Sequence, residues 1–300
     1  MTISAPWLIV GASFLFATMG VCVKLASDEY GTGEIVFYRS LIGALMMLAL
    51  VRWQRGTLAT RLPAMHFWRS LAGVVSLVLW FYSLSGLPLA TAMTLNYMSS
   101  VWMALFLIGG AIALGTARVD GRLIAAVLAG FLGVALSLRP TLEERQLWHG
   151  LMGLLSGVIA ATAYLQMTAL GRAGEPEYRI VFYFSLGGLA AGLLGMLWSG
   201  VHGHSWRGAL LLLAVGLTAT AGQLMMTRAY STGTTLVNAS LQYLGIAWAF
   251  AYGVLLFGDR VTWMAICGML LVIGAGLAAT LLRSRSGASM AHVADPPNTL

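Results

Sequence analysis

The sequence predicts an all-α integral membrane protein of ten transmembrane helices, arranged as two inverted five-helix repeats with both termini in the cytoplasm. Three observations lead to this prediction: an extreme composition, a succession of long apolar segments, and a set of motifs that occurs twice. Hydrophobic residues make up 59% of the chain and charged residues only 9%. Soluble domains carry roughly a quarter charged residues, so this composition excludes a soluble fold.

The apolar segments define the expected helices. A helix needs about 20 apolar residues to cross the hydrocarbon region, where all its backbone groups must pair internally. About ten such segments are expected, near residues 6–26, 34–52, 66–86, 89–113, 122–139, 148–170, 176–198, 206–229, 234–257 and 261–282. Prolines fall at segment ends, in loops or in the tail, so no proline-interrupted helix is predicted within the membrane.

The basic residues predict the orientation, because Lys and Arg are enriched in cytoplasmic loops. With a cytoplasmic N-terminus, most arginines fall on the cytoplasmic side, among them Arg52, Arg69 and Arg179. No Lys or Arg precedes the first segment, and no clear small-residue cleavage site accompanies it. Both observations favour a retained helix over a signal peptide. Residues 284–300, with Asp295-Pro296-Pro297, are expected to form a disordered cytoplasmic tail.

Two duplicated motifs predict the repeat. IVFYRSLIG at residues 35–43 recurs as IVFYFSLGG at residues 180–188, and LNYMSSVWMALF at residues 95–106 recurs as LQYLGIAWAFAY at residues 241–252. The predicted repeats are therefore residues 1–140 and 141–283. Each holds an odd number of segments, so the second half must enter the membrane upside down. Inverted repeats are typical of transporters, because two related packings of the halves open the protein to either side.

Several of these residues carry a family resemblance. Phe37, Tyr38 and Arg39 at the start of the second segment, and Gly258 to Thr262 before the last, resemble the drug/metabolite transporter superfamily. More narrowly, the chain resembles ten-helix EamA-type exporters, and its aromatic-rich fourth and ninth segments resemble the bacterial aromatic amino acid exporters. It departs from the family after the fourth segment, where Gly115-Thr116-Ala117-Arg118 replaces an acidic residue. The resemblance implies a multi-pass protein of the bacterial cytoplasmic (inner) membrane.

Polar side chains in the fourth and ninth segments predict a substrate cavity, since such groups are costly when they face lipid. Asn96 and Ser99 share one helical face, and Asn238 and Gln242 share the matching face of the repeat. An amide offers both a donor and an acceptor, which suits an ammonium, a carboxylate or a hydroxyl. The alternative is that these groups only bond neighbouring helices, at about 0.6–2 kcal/mol per bond.

Aromatic side chains extend this predicted substrate site, because ring walls suit flat substrates and ammonium groups. The aromatic members are Tyr97, Trp102, Tyr243, Trp248, Tyr82, Tyr164 and Tyr230, with Gln223 on the same stripe as Tyr230. The other tryptophans, Trp80 included, are expected to be interfacial anchors, and plain packing remains an alternative for Trp102 and Trp248.

Two cations in the first half need separate interpretations. Lys24, at the outer end of the first segment, is placed among the substrate-binding residues, with snorkelling to the surface as the alternative. Arg39 lies deeper, and its counterpart in the repeat is Phe184. We expect Arg39 to stabilise the fold or a gate, paired with Glu34 or with a helix C-terminus.

The predicted membrane segments lack acidic and histidine side chains at their centres, which limits the possible mechanisms of transport or catalysis. No Asp or Glu lies in the middle of a segment, and the five histidines lie at segment ends, in loops or in the tail. This pattern argues against an intramembrane enzyme, a metal site, a cofactor and proton or sodium coupling. It predicts uncoupled, facilitative transport or coupling through the substrate itself. Cys22 and Cys267 form no disulfide framework, and the scattered basic residues do not favour nucleic acid.

The expected function is export of small amphipathic metabolites by facilitative alternating access, with aromatic or apolar amino acids as the leading substrates. Drugs or organic cations are an alternative, but they would favour a buried carboxylate. A nucleotide-sugar-type carrier is less favoured, because it needs a more basic cavity than Lys24 and Arg39 provide. The expected partners are a small-molecule substrate and the lipid bilayer, with no obligate protein partner.

Overall fold

Every regular secondary-structure element in the described part of the chain is a helix. A computed structural model describes residues 4–113, 144–233, 235–259, 262–264, 266–275 and 277–278, with single positions or pairs between 125 and 136. Within these residues, seven helical spans are long and apolar enough to cross a membrane, one of them (Val237–Phe257) interrupted by a two-residue turn, and no strand occurs. An all-helical, multi-pass protein is therefore confirmed. Most of the fifth segment, the entry to the last segment and the tail 284–300 lie outside the described residues, and ten spans remain a prediction.

The helices begin and end close to the predicted segments. They are α1 Ala5–Ala26, α2 Thr32–Trp53, α3 Pro63–Gly86, α4 Leu89–Tyr97, α5 Ser99–Ala113, α6 Glu144–Arg172, α7 Glu177–Ser199, α8 Trp206–Thr232, α9 Thr235–Leu241, α10 Leu244–Phe257 and α11 Ile266–Ala275. Proline occupies the first turn of α1 and of α3, where the missing N–H has no helical acceptor to lose.

The fourth and ninth segments are each interrupted, which corrects the expectation of two continuous helices. The fourth breaks at Met98, between α4 and α5, and the ninth breaks between α9 and α10. No proline causes either break. At the first one the backbone of α6 approaches closely, since a Cβ on Gly157 would lie only 2.7 Å from the Leu95 carbonyl oxygen. Both breaks adjoin the tyrosine of the duplicated motif, Tyr97 or Tyr243.

Helices α2 and α7 form a close antiparallel pair. A Cβ on Gly33 would lie 2.8 Å from the carbonyl carbon of Gly195, so backbone meets backbone at this point. A Cβ on Gly192 would lie 2.5 Å from the backbone nitrogen of Phe37. Small residues allow such contacts between membrane helices, where dispersion and not the hydrophobic effect drives association.

The contacts of this pair are also reciprocal. The Ser40 side chain packs on Gly188, and the Ser185 side chain packs on Gly43. Ser40 and Ser185 are equivalent in the duplicated motif, and so are Gly43 and Gly188. Likewise α1 packs along α8 and α3 along α6, the arrangement expected if a two-fold axis relates the halves. These contacts support the inverted repeat, which stays a prediction.

Candidate functional site

A central cavity lies among α1, α2, α3, α4, α6, α7 and α8. It is partly open, and the space between its lining atoms, counted together with adjoining solvent, is about 550 Å³. Its apolar wall includes Phe16, Met19, Leu77, Trp80 and Phe184. Its polar groups are Arg39, Arg69, Ser76, Asn96, Tyr97, Tyr164 and Gln223, with no Asp or Glu among the described residues that line it. The cavity is therefore aromatic and positively charged.

Two arginines flank one phenylalanine ring in this cavity. The guanidinium carbons of Arg39 and Arg69 lie 4.7 Å and 4.6 Å from the Phe184 ring centroid. Both side chains are almost fully buried, at 4% and 2% exposure. Neither makes a hydrogen bond or an ion pair with any residue that the structure describes. Ring faces attract cations, so Phe184 partly compensates both charges.

The position of Arg69 follows from local sequence. Helix α3 begins at Pro63, so Arg69 lies about 9 Å along the helix axis from its start, at 1.5 Å per residue. One turn later Gly73 leaves room for the guanidinium, because a Cβ there would collide with Arg69 and lie 2.9 Å from Phe184 Cε2. The interpretation of Arg69 as a cytoplasmic-side topology determinant therefore missed its place in the cavity wall.

The structure brings four of the predicted substrate-binding residues together in the cavity lining: Asn96, Tyr97, Tyr164 and Gln223. The Asn96 amide donates to Ser156 Oγ on α6 at 3.0 Å. The Tyr97 hydroxyl and the Gln223 amide nitrogen are buried and have no hydrogen-bond partner among the described residues. The Gln223 amide nitrogen is thus placed to donate to a polar part of a substrate, whereas the Tyr97 hydroxyl packs against Gly245 of α10, outside the lining.

The counterparts in the ninth segment do not line this cavity. The Gln242 amide donates to Met226 Sδ at 3.3 Å, and the Asn238 amide donates to the Ala229 carbonyl at 2.6 Å. Both bonds tie the interrupted segment to α8. Tyr243 is also buried outside the lining. The two duplicated motifs therefore contribute unequally to the cavity.

Other predicted site residues lie behind or beyond the cavity wall. Tyr230 stacks on Tyr164 with ring centroids 5.7 Å apart. Ser99 is buried and Trp102 is half-buried, and neither belongs to the lining. Trp248 is 40% exposed and packs edge-on against a ring of α1. Packing therefore accounts for the observed place of Trp248.

Tyr82 and Lys24 lie toward the helix ends. Tyr82 stacks on His149 with ring centroids 4.4 Å apart. The Lys24 ammonium donates to the Leu87 carbonyl at 2.6 Å and lies 5.4 Å from the Phe257 ring centroid. Lys24 therefore binds the C-terminal end of α3 in this conformation, and it does not line the central cavity.

Sequence reasoning missed Trp80 as well as Arg69. Trp80 lines the cavity at 7% exposure, which corrects its interpretation as an interfacial anchor. Arg69, Gly73, Ser76 and Trp80 are separated by four, three and four residues, the spacing of one helical face. That spacing was the signal that could have identified α3 as a main wall of the cavity.

A polar network closes the end of α3 and α7 that is predicted to face the cytoplasm. The Glu175 carboxylate accepts hydrogen bonds from Arg179 and Thr60, each at 2.8 Å, and lies 3.1 Å from His66 Nε2. Burial raises the pKa of Glu175, but the hydrogen bonds from Arg179, Thr60 and His66 outweigh it and leave the pKa below its usual value.

A second network lies at the other end of α7, where the C-terminal end of α7 meets the first turn of α2. Glu34 accepts a hydrogen bond from the backbone N–H of His202 at 2.9 Å, and its carboxylate lies 2.5 Å from His202 Nδ1. Ser205 donates to Glu29 at 2.5 Å nearby. The expected pairing of Arg39 with Glu34 is therefore wrong, because Glu34 is held by the α7–α8 connection. Within the described residues, no group of His, Cys, Asp or Glu is arranged to hold a metal ion.

Comparisons with known proteins agree with this architecture. Residues 3–139 match the sequence profile of the EamA-like transporter family. The pseudopaline exporter of Pseudomonas aeruginosa (strain UCBPP-PA14) is 33% identical over 95% of this chain and 98% of the exporter. An uncharacterized transporter of Helicobacter pylori (strain J99) is 26% identical over 90% of this chain and 92% of that protein. A protein of known crystal structure shares 17% identity and superposes with a TM-score of 0.68, over 94% of this chain and 100% of that one, which indicates a common fold.

Proposed function

Because this chain belongs to the EamA-like transporter family, we propose that it exports small amphipathic metabolites across the bacterial cytoplasmic membrane by alternating access. One observation carries the proposal: the central cavity combines aromatic walls with buried polar and cationic groups. Ligand sites are typically concave and mostly apolar, with a few polar groups that fix orientation. The resemblance to aromatic amino acid exporters stays a prediction.

The cavity chemistry favours substrates with a carboxylate and an apolar body. The carboxylate would pair with Arg39 or Arg69, and the apolar body would pack on Trp80. Aromatic or apolar amino acids meet this description, with the Gln223 amide nitrogen available to donate a hydrogen bond to the carboxylate. Organic cations do not, since two buried arginines repel them and no acid among the described lining residues offsets that charge.

A second candidate gains support from Arg69. The cavity is more basic than Lys24 and Arg39 alone would make it, and a basic cavity suits anionic substrates such as nucleotide sugars. Pseudopaline, the substrate in the name of the relative that is 33% identical, belongs in the same test.

The two end networks supply the contacts that alternation between the two sides would break and remake. One joins Glu175 and His66 at one end, and the other joins Glu34 and His202 at the other end. Opening either side requires the network at that end to break, while the close glycine contacts of α2 and α7 allow the pair to shift. The described cavity lining lacks a carboxylate that could carry a proton, which supports facilitative transport.

Transport by the purified full chain in liposomes tests this function. Labelled amino acids, amines, nucleotide sugars and pseudopaline are loaded separately, and efflux is measured against protein-free liposomes. Export of at least one class of amphipathic, carboxylate-bearing compound is expected without an imposed proton gradient. Efflux no faster than from protein-free liposomes for every compound would refute the function, and a strict requirement for a proton gradient would refute the facilitative mechanism.

A further inference from the structure

The charges of the two cavity arginines, Arg39 and Arg69, are not balanced by acidic groups or hydrogen-bond acceptors of the described residues. Moving a guanidinium out of water without an acidic partner is strongly unfavourable, and two close to one ring also repel each other. The rings near them attract cations but cannot neutralise them. In the described part of the chain, Arg39 Nε, Arg69 Nε and Arg69 Nη1 are buried with no hydrogen-bond acceptor.

Two partly buried cations of this protein are satisfied differently. Lys24 donates to the Leu87 carbonyl at 2.6 Å, and Arg179 donates to Glu175 at 2.8 Å. Each has a protein acceptor, as expected for a structural charge. Arg39 and Arg69 have none among the described residues, although both are more deeply buried than Lys24. The missing acceptors are therefore expected to come from the bound molecule.

We infer that the substrate carries two acidic groups, carboxylate or phosphate, one for each of the guanidiniums of Arg39 and Arg69 beside Phe184. The inference rests on the proposed export function and narrows its substrate class from small amphipathic metabolites to those with two acidic groups, which excludes amino acids with an uncharged side chain. Guanidinium forks bind such oxyanions through paired, charge-assisted hydrogen bonds. Asn96 and Gln223 then face the part of the substrate that lies between or beside the acidic groups.

Gly73 supports the same assignment. Glycine in a helix interior is unfavourable, yet alanine here would displace the Arg69 guanidinium from the Phe184 ring. This glycine therefore keeps a buried, unneutralised charge at the cavity wall. An arginine that only filled space would not require such a neighbour.

Matched compounds test the inference in the full-length protein. The pairs are glutamate and glutamine, 4-carboxyphenylalanine and phenylalanine, and O-phosphotyrosine and tyrosine. Each compound is tested as a competitor that inhibits the efflux of a labelled substrate, which is one that the liposome assay has shown to be transported. Each pair differs by one acidic group, and the last separates phosphate from carboxylate. The acidic member of at least one pair is expected to compete about ten-fold better or more, as for a charge-assisted hydrogen bond. Equal or weaker competition by the acidic member in every pair would overturn the inference while leaving export intact, whereas the absence of any moving tracer would count against both.

Arginine variants separate substrate binding from a structural role. Arg39→Gln and Arg69→Gln are expected to reduce the preference for the acidic member about ten-fold, with partial retention in Arg39→Lys and Arg69→Lys. Exposed Arg207, changed to Gln, is the matched control and leaves the preference unchanged. Because like charges repel, the Gln variants should melt no lower than the unaltered protein without ligand. Equal losses for acidic and neutral competitors, together with a lower melting temperature, would identify the arginines as structural and overturn the inference.

Discussion

Gly157→Ala is expected to disturb the break in the fourth segment. Gly157 lies on α6, and a Cβ at this position would lie 2.7 Å from the Leu95 carbonyl oxygen and 3.1 Å from the Asn96 carbonyl oxygen. Carbon–oxygen contacts normally lie at about 3.3 Å or more. Both atoms belong to the backbone, so no rotamer change relieves the overlap. Helix α6 must move away from α4, and the Asn96 bond to Ser156 must lengthen with it.

Two opposing effects determine how much Gly157→Ala changes the stability of the protein. Overpacking of this kind costs about 1–3 kcal/mol, whereas replacing glycine by alanine in a helix gains about 1 kcal/mol. The net loss of stability is then up to about 2 kcal/mol, with reduced transport because Asn96 leaves its position in the cavity wall. Gly109→Ala is the matched control: it is also helical and nothing lies within 4 Å of its added Cβ, so the propensity gain remains alone.

Thermal unfolding in detergent and liposome efflux measure the two effects side by side. The expected order of melting temperature is Gly109→Ala at or above the unaltered protein, with Gly157→Ala below it. If Gly157→Ala melts as high as Gly109→Ala and transports normally, the close backbone contact between α6 and α4 is not a constraint, and the explanation of the break fails.

Three further changes probe the cavity and its ends. Asn96→Ala should reduce efflux by more than Gln242→Ala, because Asn96 lines the cavity whereas Gln242 bonds to Met226. Equal reductions in efflux would contradict the unequal contribution of the two duplicated motifs to the cavity. Glu175→Gln should lower stability by about 1–3 kcal/mol, since it weakens a buried charged network. The pKa of Glu175 is lowered in the fold, so its stabilisation is complete above the usual carboxyl pKa and disappears as the pH falls through the lowered value. Melting temperatures between about pH 3 and pH 7 should therefore converge for Glu175→Gln and the unaltered protein at the acidic end, and a constant difference would contradict this linkage. Lys24→Met should lower stability by about 1 kcal/mol through the lost bond to α3, with unchanged substrate preference in competition assays.

Much of the helical framework is predictable from sequence. Hydrophobic length identifies each span, because hydrocarbon leaves the backbone no alternative to internal hydrogen bonds. Prolines at residues 6 and 63 likewise coincide with helix starts. Duplication of the motif around Tyr97 and Tyr243 singled out the two segments that break, although not the break itself. The first break adjoins a close backbone contact from α6, a helix that lies far away in sequence.

The cavity is less predictable, because it depends on how each helix is rotated about its axis. Arg69 is close enough to the start of α3 to suit a membrane surface, and only packing against α7 directs it inward. Trp80 and Trp248 illustrate the same point, since the first lines the cavity and the second faces outward. Within a uniformly apolar segment, periodicity identifies the inward face poorly.

Composition and repetition by themselves therefore determined the class of this protein, the positions of its membrane helices and the two segments of greatest interest. Tertiary structure alone decided that Arg39 and Arg69 meet at Phe184, that Glu34 binds His202, and that the ninth segment bonds to α8. The physical reason is that the two properties depend on interactions over different distances along the chain. Transfer into lipid acts on each segment separately, whereas the charge of a cavity arises from side chains that only helix packing brings together.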